Sequence, residues 1–300
     1  MKKHQLADNL ANNPPNVLLR TKIDINIMTN RITDNIKKFK PSFYNIPINK
    51  REMEEVVDRL YKVMFPNATH FDTASIHKEL HSIAEILLST IAQLTSDEEA
   101  NDIVATFFEQ LPEIQRRLTK DANCYLENDP AAKSLEEVVL TYPGFFALTV
   151  HRIAHKLDEL GVRLIPRLFS EYAHSKVGID IHPKAKIGKN LFLDHGTGIV
   201  IGETTVVGNN VKIYQGVTLG ALYLEKKLSS VKRHPTVEDN VVIYAGATIL
   251  GGNTVIGRHS TIGGGAWVTK SVIPYSLVYN QVDVKIKTVK EFDEPNDFVI

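Results

Sequence analysis

Cysteine is nearly absent: Cys124 is the one thiol in 300 residues, which excludes an intramolecular disulfide framework and fits a reducing compartment. No cysteine-centred motif surrounds it, so buried filler is its expected role. Net charge is absent as well. The 35 Lys and Arg balance 35 Asp and Glu, which removes any global electrostatic case for nucleic acid or an acidic membrane. No apolar run approaches the length of a bilayer span. The stretch after Lys2 and Lys3 is polar and Asn-rich, without the apolar segment of a secretory signal. A soluble, cytoplasmic protein is expected, with no nucleic-acid or membrane partner. What is present is 43% hydrophobic content, over a length that predicts more than one domain.

After residue 176 an aliphatic residue recurs every sixth position, often followed by Gly. Ile187-Gly188, Ile201-Gly202, Val207-Gly208, Ile213, Leu219-Gly220, Val237, Ile243, Ile249, Ile256-Gly257, Ile262-Gly263 and Val268 carry the beat. This is neither the helical period nor the two-residue strand period. A hexapeptide repeat predicts a parallel β-helix with three short strands per coil, each coil burying its core against the next. The rhythm slips between Leu193 and Ile201 and between Ile249 and Ile256. A longer break from Ala221 to Pro235 is polar and Lys/Arg-rich, and is expected to be a loop ejected from the solenoid. Irregularities in a regular scaffold are where function is most often grafted.

The expected organisation is α + β: an N-terminal extension (1–48), an α-helical domain (49–175), the β-helix (176–275) and an exposed C-terminal tail (276–300). Val56, Leu60 and Val63 fall on one helical face, and Ile76 through Leu94 form a longer stripe. Ile103 through Leu118 predict a third helix, interrupted near Pro112. Asp72 or Thr73, and Ser96 or Asp97, are candidate N-caps. Asp129-Pro130 reads as a stop, Ser134 to Leu140 as a short helix, and Pro143-Gly144 as a turn before a helix from Phe145 to Leu160.

Three polar clusters in the first coils exceed what a structural hexad needs: Asp180-Ile181-His182-Pro183, Leu193-Asp194-His195-Gly196-Thr197-Gly198, and Arg233-His234-Pro235. Asp129-Pro130-Ala131 accompanies them from the helical domain. Asp180 and His195 are about one coil apart, where adjacent strands lie roughly 4.8 Å from each other. A carboxylate near an imidazole can fix its tautomer and stabilise the imidazolium, so the pair has the composition of a general-base dyad. Plainer readings stand beside this. Asp180 and Asp194 could cap corners, and His182 could end a strand. Small residues on successive coils, Gly220, Ala221, Ala245, Gly246, Gly263 and Gly264, could open a groove or merely turn corners. His77 with His81, and His151 with His155, are spaced i and i+4, but two ligands do not complete a site and no metal is expected.

The strings DPA, PGFFALTVHRIAHKL, DIHPKAKIG, LDHGTGIVIGET, GVTLG and RHP make residues 129–273 resemble serine O-acetyltransferase, a hexapeptide-repeat acyltransferase. The resemblance implies a left-handed β-helix and transfer of acetyl from acetyl-CoA to L-serine by direct attack. It implies His195 as general base, Asp180 orienting it, Asp129 and Asp194 around the substrate ammonium, and Arg233 at its carboxylate. His234 matches a substrate-site residue that can donate to a developing oxyanion, and Ala245 and Gly264 match cofactor-facing positions. Also implied are a homotrimer or dimer of trimers with sites between neighbouring subunits. A further implied partner is O-acetylserine sulfhydrylase, docked through the terminal carboxylate of Ile300. After GVTLG the chain departs from the family's Gly-Gly-Thr, with Ala221-Leu222-Tyr223 in its place.

Overall fold

The computed structural model describes residues 25–38, 48–66, 72–222 and 231–281. Residues 1–47 and 48–300 are separate units. The first contains α1 (Ile25–Lys38), a helix where an extension with little periodicity was expected. Ile25, Met28, Ile32 and Ile36 recur there at helical spacing. The tail after residue 281, including Ile300, lies outside the described residues.

In the second unit six helices precede the strands: α2 (Lys50–Met64), α3 (Thr73–Ile91), α4 (Asp97–Asn128), α5 (Leu135–Thr141), α6 (Pro143–Glu159) and α7 (Ile165–Val177). Capping residues set their starts. Asp72 accepts from the Ser75 N–H at 2.8 Å and Ser96 from the Glu99 N–H at 3.2 Å, satisfying amides that the helix leaves free. Two boundaries differ from expectation. Helix α4 runs unbroken through Pro112, because Leu111, Ile114 and Leu118 are all buried on one face and outweigh one missing N–H donor. Pro143 and Gly144 form the first turn of α6 rather than a turn before it, as Pro at the first helical position has no amide to leave unpaired.

The strands wind into a parallel solenoid of three sheets. The first holds β1 (Asp180–Ile181), β4 (Val200–Ile201), β7 (Thr218–Gly220), β10 (Thr248–Leu250) and β13 (Trp267–Val268). The second holds β2 (Lys186–Ile187), β5 (Val206–Val207), β8 (Thr236–Val237) and β11 (Val255–Ile256). The third holds β3 (Phe192–Asp194), β6 (Lys212–Tyr214), β9 (Val242–Ile243), β12 (Thr261–Ile262) and β14 (Leu277–Val278). Every beat residue of the hexad is buried, each such Ile, Leu or Val contributing about 1.5–3 kcal/mol by leaving water. The rhythm's slips are visible as register. Asp180 pairs with Val200 but Val200 with Thr218, so the first coil is two residues longer, and the surplus falls at the corner holding His195. Thr218 pairs with Thr248, a longer step that contains the stretch expected to be an ejected loop, of which residues 223–230 lie outside the described residues.

The chain turns between second and third sheets on left-handed Asn190, Asn210 and Asn240, whose amides bond along the stack. A buried ion pair clips the helices to this ladder. The Arg152 Nε–H donates to Asp121 at 2.7 Å, the other Asp121 oxygen accepts the Asn190 N–H, and Arg152 also reaches the Gly188 carbonyl. Burial pushes the Asp121 carboxyl up against the pull of Arg152. Removing one partner of such a pair costs about 3–5 kcal/mol.

Candidate active site

The helical layer positions the corner that follows β3. Buried Tyr125 of α4 accepts the Leu193 N–H through its hydroxyl at 3.1 Å and meets Phe192 edge to face. Gly144 lets α6 abut the same strand, since a Cβ there would lie 2.3 Å from the Leu193 carbonyl oxygen. Immediately afterwards the two surplus residues bulge outward. His195 adopts a left-handed backbone with φ 54°, and its side chain is 73% exposed with Nε2 3.8 Å from Asp194. Gly196 lies over Ile179 and Gly178 under Thr197, so the start of β1 underlies this corner.

Asp129, just past α4, completes an acidic group here. The Tyr142 hydroxyl donates to one of its oxygens at 2.5 Å and the Ala131 N–H to the other at 2.8 Å. These two donors, with the nearby His195 imidazole, hold the carboxyl below its usual range. Tyr142 answers with a hydroxyl pushed up by burial and by Asp129. Tyr214 faces the same carboxylates, its hydroxyl raised by burial and Asp194, and stacks on Tyr244 of the next coil at 5.0 Å. Sequence reasoning named Asp129, Asp194 and His195 but missed Tyr142 and Tyr214. An aromatic immediately before Pro143-Gly144 was the available signal for the first.

A second cluster sits on the corner between first and second sheets. The Arg233 guanidinium donates to Glu203, which also receives the Lys184 ammonium at 3.2 Å. Burial would raise the Glu203 carboxyl, but Arg233 and Lys184 bring it below its usual range. This gives Glu203 the role that its string alone did not. His234 is buried, with Nδ1 accepting the Thr204 N–H at 3.1 Å. The ring proton is therefore assigned to Nε2. Burial and neighbouring Arg233 lower the His234 pKa to about 4, so the ring is neutral at pH 7. Gly202 makes room for it: a Cβ would stand 2.0 Å from the imidazole. His182 resembles His234, its Nδ1 accepting the Lys184 N–H at 3.2 Å and its pKa lowered to about 4 by burial and Arg167.

Asp180 lies elsewhere than a simple dyad requires. Among the described residues it makes no hydrogen bond or ion pair with His195, and its carboxylate, Glu171 and His174 have donor atoms within 4.8 Å of one another. Neither Asp180 nor Asp194 caps a corner amide among the described residues. That work falls to the Asn ladder and to Asp239, which accepts the Asn209 N–H at 2.7 Å.

The small-residue candidates divide by cause. Gly246 has φ 71°, so its corner requires glycine. A Cβ on Gly263 would lie 3.0 Å from the Val278 carbonyl oxygen, so backbone packing accounts for it, whereas one on Gly220 would meet the movable end of the Leu250 side chain at 2.8 Å. Ala221 directly follows β7. Neither Ala245 nor Gly264 has a positive φ, and a Cβ on Gly264 would come no nearer than 3.3 Å to its neighbours, so backbone conformation does not demand small residues along this third-to-first corner.

Comparison with known proteins points to one family. The family model described as serine acetyltransferase, N-terminal, matches residues 67–150. The plasmid serine acetyltransferase of Synechococcus elongatus is 42% identical, over 77% of this chain and 80% of that one. Serine acetyltransferase isoform 3 of Entamoeba histolytica, solved in complex with cysteine, superposes with a TM-score of 0.72 at 31% identity, over 88% of this chain and 95% of that one. The Neisseria gonorrhoeae serine acetyltransferase solved in complex with serine gives 0.55 at 30% identity, over 76% and 95%. With that relationship spanning the helices and the solenoid together, the chain belongs to the serine acetyltransferase family.

Proposed function

We propose that the protein transfers the acetyl group of acetyl-CoA to the hydroxyl of L-serine, with His195 as general base. The observation that carries this reading is the His195 corner, an exposed imidazole beside two carboxylates, Asp194 and Asp129, that have no Lys or Arg ion pair among the described residues. Two carboxylates suit an ammonium, and a base beside them suits the hydroxyl of the same small amino acid. Arg233 takes the substrate carboxylate, where its planar fork can donate twice. In the reaction His195 removes the hydroxyl proton as the serine oxygen attacks the thioester carbonyl. The Nε2–H of His234 donates to the developing oxyanion. The new C–O bond forms, the C–S bond breaks, and the thiolate leaves as CoA with the proton returned from the imidazolium. Asp180, on the strand beneath the His195 corner, stabilises that imidazolium electrostatically.

The His195 and Arg233 clusters occupy different corners of one solenoid, so a closed site takes one corner from each of two subunits. A homotrimer supplies this pairing three times by rotation. The pantetheine arm would run along Ala245 and Gly264. The test is CoA release from acetyl-CoA by the purified protein with L-serine, and with homoserine, threonine and simple sugars in parallel. Serine-dependent release is expected. Release only with another acceptor would retain the His195 chemistry and reject the assignments of Asp129, Asp194 and Arg233.

A further inference from the structure

Between α4, α6 and the second sheet lies a cavity of about 560 Å³, none of whose lining residues belongs to either corner cluster. Its wall carries Arg117, Arg152, Lys156 and Lys186 against the carboxylates of Glu113 and Glu159. Most of these charges are already matched. Glu159 receives Lys156 at 2.7 Å, Glu113 pairs with Arg116, and Arg152 is held by Asp121. Arg117 and Lys186 form no ion pair among the described residues.

Two buried ring or guanidinium nitrogens of this wall also lack a partner. Arg117 gives one hydrogen bond, to the Ile187 carbonyl at 3.2 Å, and its Nε is buried without a partner. His151 is 2% exposed with Nδ1 unpartnered, stacked on His155 with ring centroids 5.5 Å apart. Burial and the neighbouring His155 and Arg152 charges drive its pKa well down, so it stays a neutral ring that can donate one N–H. Orphaned donors at a buried site cost stability unless a ligand satisfies them. Surplus cations choose a negative ligand over a metal. Ile114, Ile187, Val206 and Val207 line the same cavity, and the volume is in the range that takes a small organic molecule rather than a bare ion.

We infer that this cavity is a second ligand site, which binds the phosphate or sulfate head of a small organic ester through Arg117, His151 and Lys186, with the organic part against Ile187, Val206 and Val207. The site is independent of the acetyl-transfer reading. The experiment is thermal unfolding of the full chain with inorganic phosphate, inorganic sulfate and phenyl phosphate as probes. Wild type is compared with Arg117→Gln, with Lys186→Gln, and with Lys270→Gln as a control on the far coils. At about 100 times its dissociation constant phenyl phosphate is expected to raise the midpoint by about 5 °C, more than either inorganic ion at the same concentration. The shift should shrink in both cavity variants and persist in the control. Lys186 is exposed, so its variant keeps the test valid should Arg117→Gln fold poorly. No shift with any probe, or equal shifts in wild type and the cavity variants, overturns the site.

Discussion

The two corners that bear the reactive residues are built on opposite plans. The corner between first and second sheets is closed: Arg233, Glu203, Lys184, Thr204 and His234 satisfy one another before any substrate arrives. The corner between third and first sheets is open, with His195 largely exposed and Asp129 held from behind by Tyr142 and Ala131. A closed corner is a preorganised receptor, because its donors need no rearrangement to meet an anion. An open corner offers a base and negative charge that gain partners only when substrate and a facing surface arrive. On the proposed reading, one chain would hold both halves of a site without completing it.

The strongest way to test that division is to disable each corner separately. His195→Ala is expected to lower serine-dependent CoA release by about 10²–10⁴-fold while leaving the oligomer intact by size-exclusion chromatography. Near-normal turnover would remove His195 from the chemistry. Arg233→Ala should also be nearly inactive at ordinary serine concentrations, since an unpaired substrate carboxylate forfeits a charge-assisted contact. Mixed and reassembled, the two inactive variants should recover roughly a quarter of the wild-type sites if corners from different subunits meet. Recovery of nothing, from a mixture shown to exchange subunits, would place both corners of a working site in one chain.

A finer test asks whether the open corner is held from behind. Tyr142→Phe deletes the donor to Asp129 and leaves the Ala131 N–H. The Asp129 carboxyl should then titrate at higher pH. The acid limb of kcat/KM for serine would move upward, with KM rising about tenfold and kcat little changed, as for one lost charge-assisted bond. An unmoved acid limb would show that Tyr142 does not position Asp129.

The open corner was the more legible in sequence, and the reason is physical. A six-residue rhythm fixes which side chains enter the solenoid, so Ile187, Ile201 and Ile213 could be placed in the core from spacing alone. The slip after Leu193 marked the bulge that exposes His195. Contacts that join distant segments left no such trace. Tyr142 reaches Asp129 across a short helix, and Tyr125 reaches Leu193 from a different layer. Likewise Pro112 looked like an interruption of the helix because local propensity could not register the burial that carries α4 past it. The placement of Asp180 beside Glu171 and His174 depends on α7, a helix the pattern did not resolve.

The closed corner can be probed through its histidine. Folded His234 titrates at about 4, whereas an unfolded histidine titrates near 6.5. Between those values the unfolded chain binds a proton that the folded chain refuses, so stability falls as pH falls from about 6.5 and levels off below about 4. His182 and His151 have lowered values too and add to the same slope. Glu203 and Asp129, held below their usual range, contribute at the acid end of the window. His234→Asn keeps an acceptor for the Thr204 N–H while removing the titrating ring. Denaturant unfolding of this variant should therefore show a shallower loss of stability between pH 6.5 and 4.5 than wild type, by a fraction of a proton because water partly screens the site. Equal slopes would mean that His234 titrates alike folded and unfolded. At pH 6 the closed corner would then carry an imidazolium, which keeps its Nε2–H donor but gives up the Nδ1 acceptor that receives the Thr204 N–H.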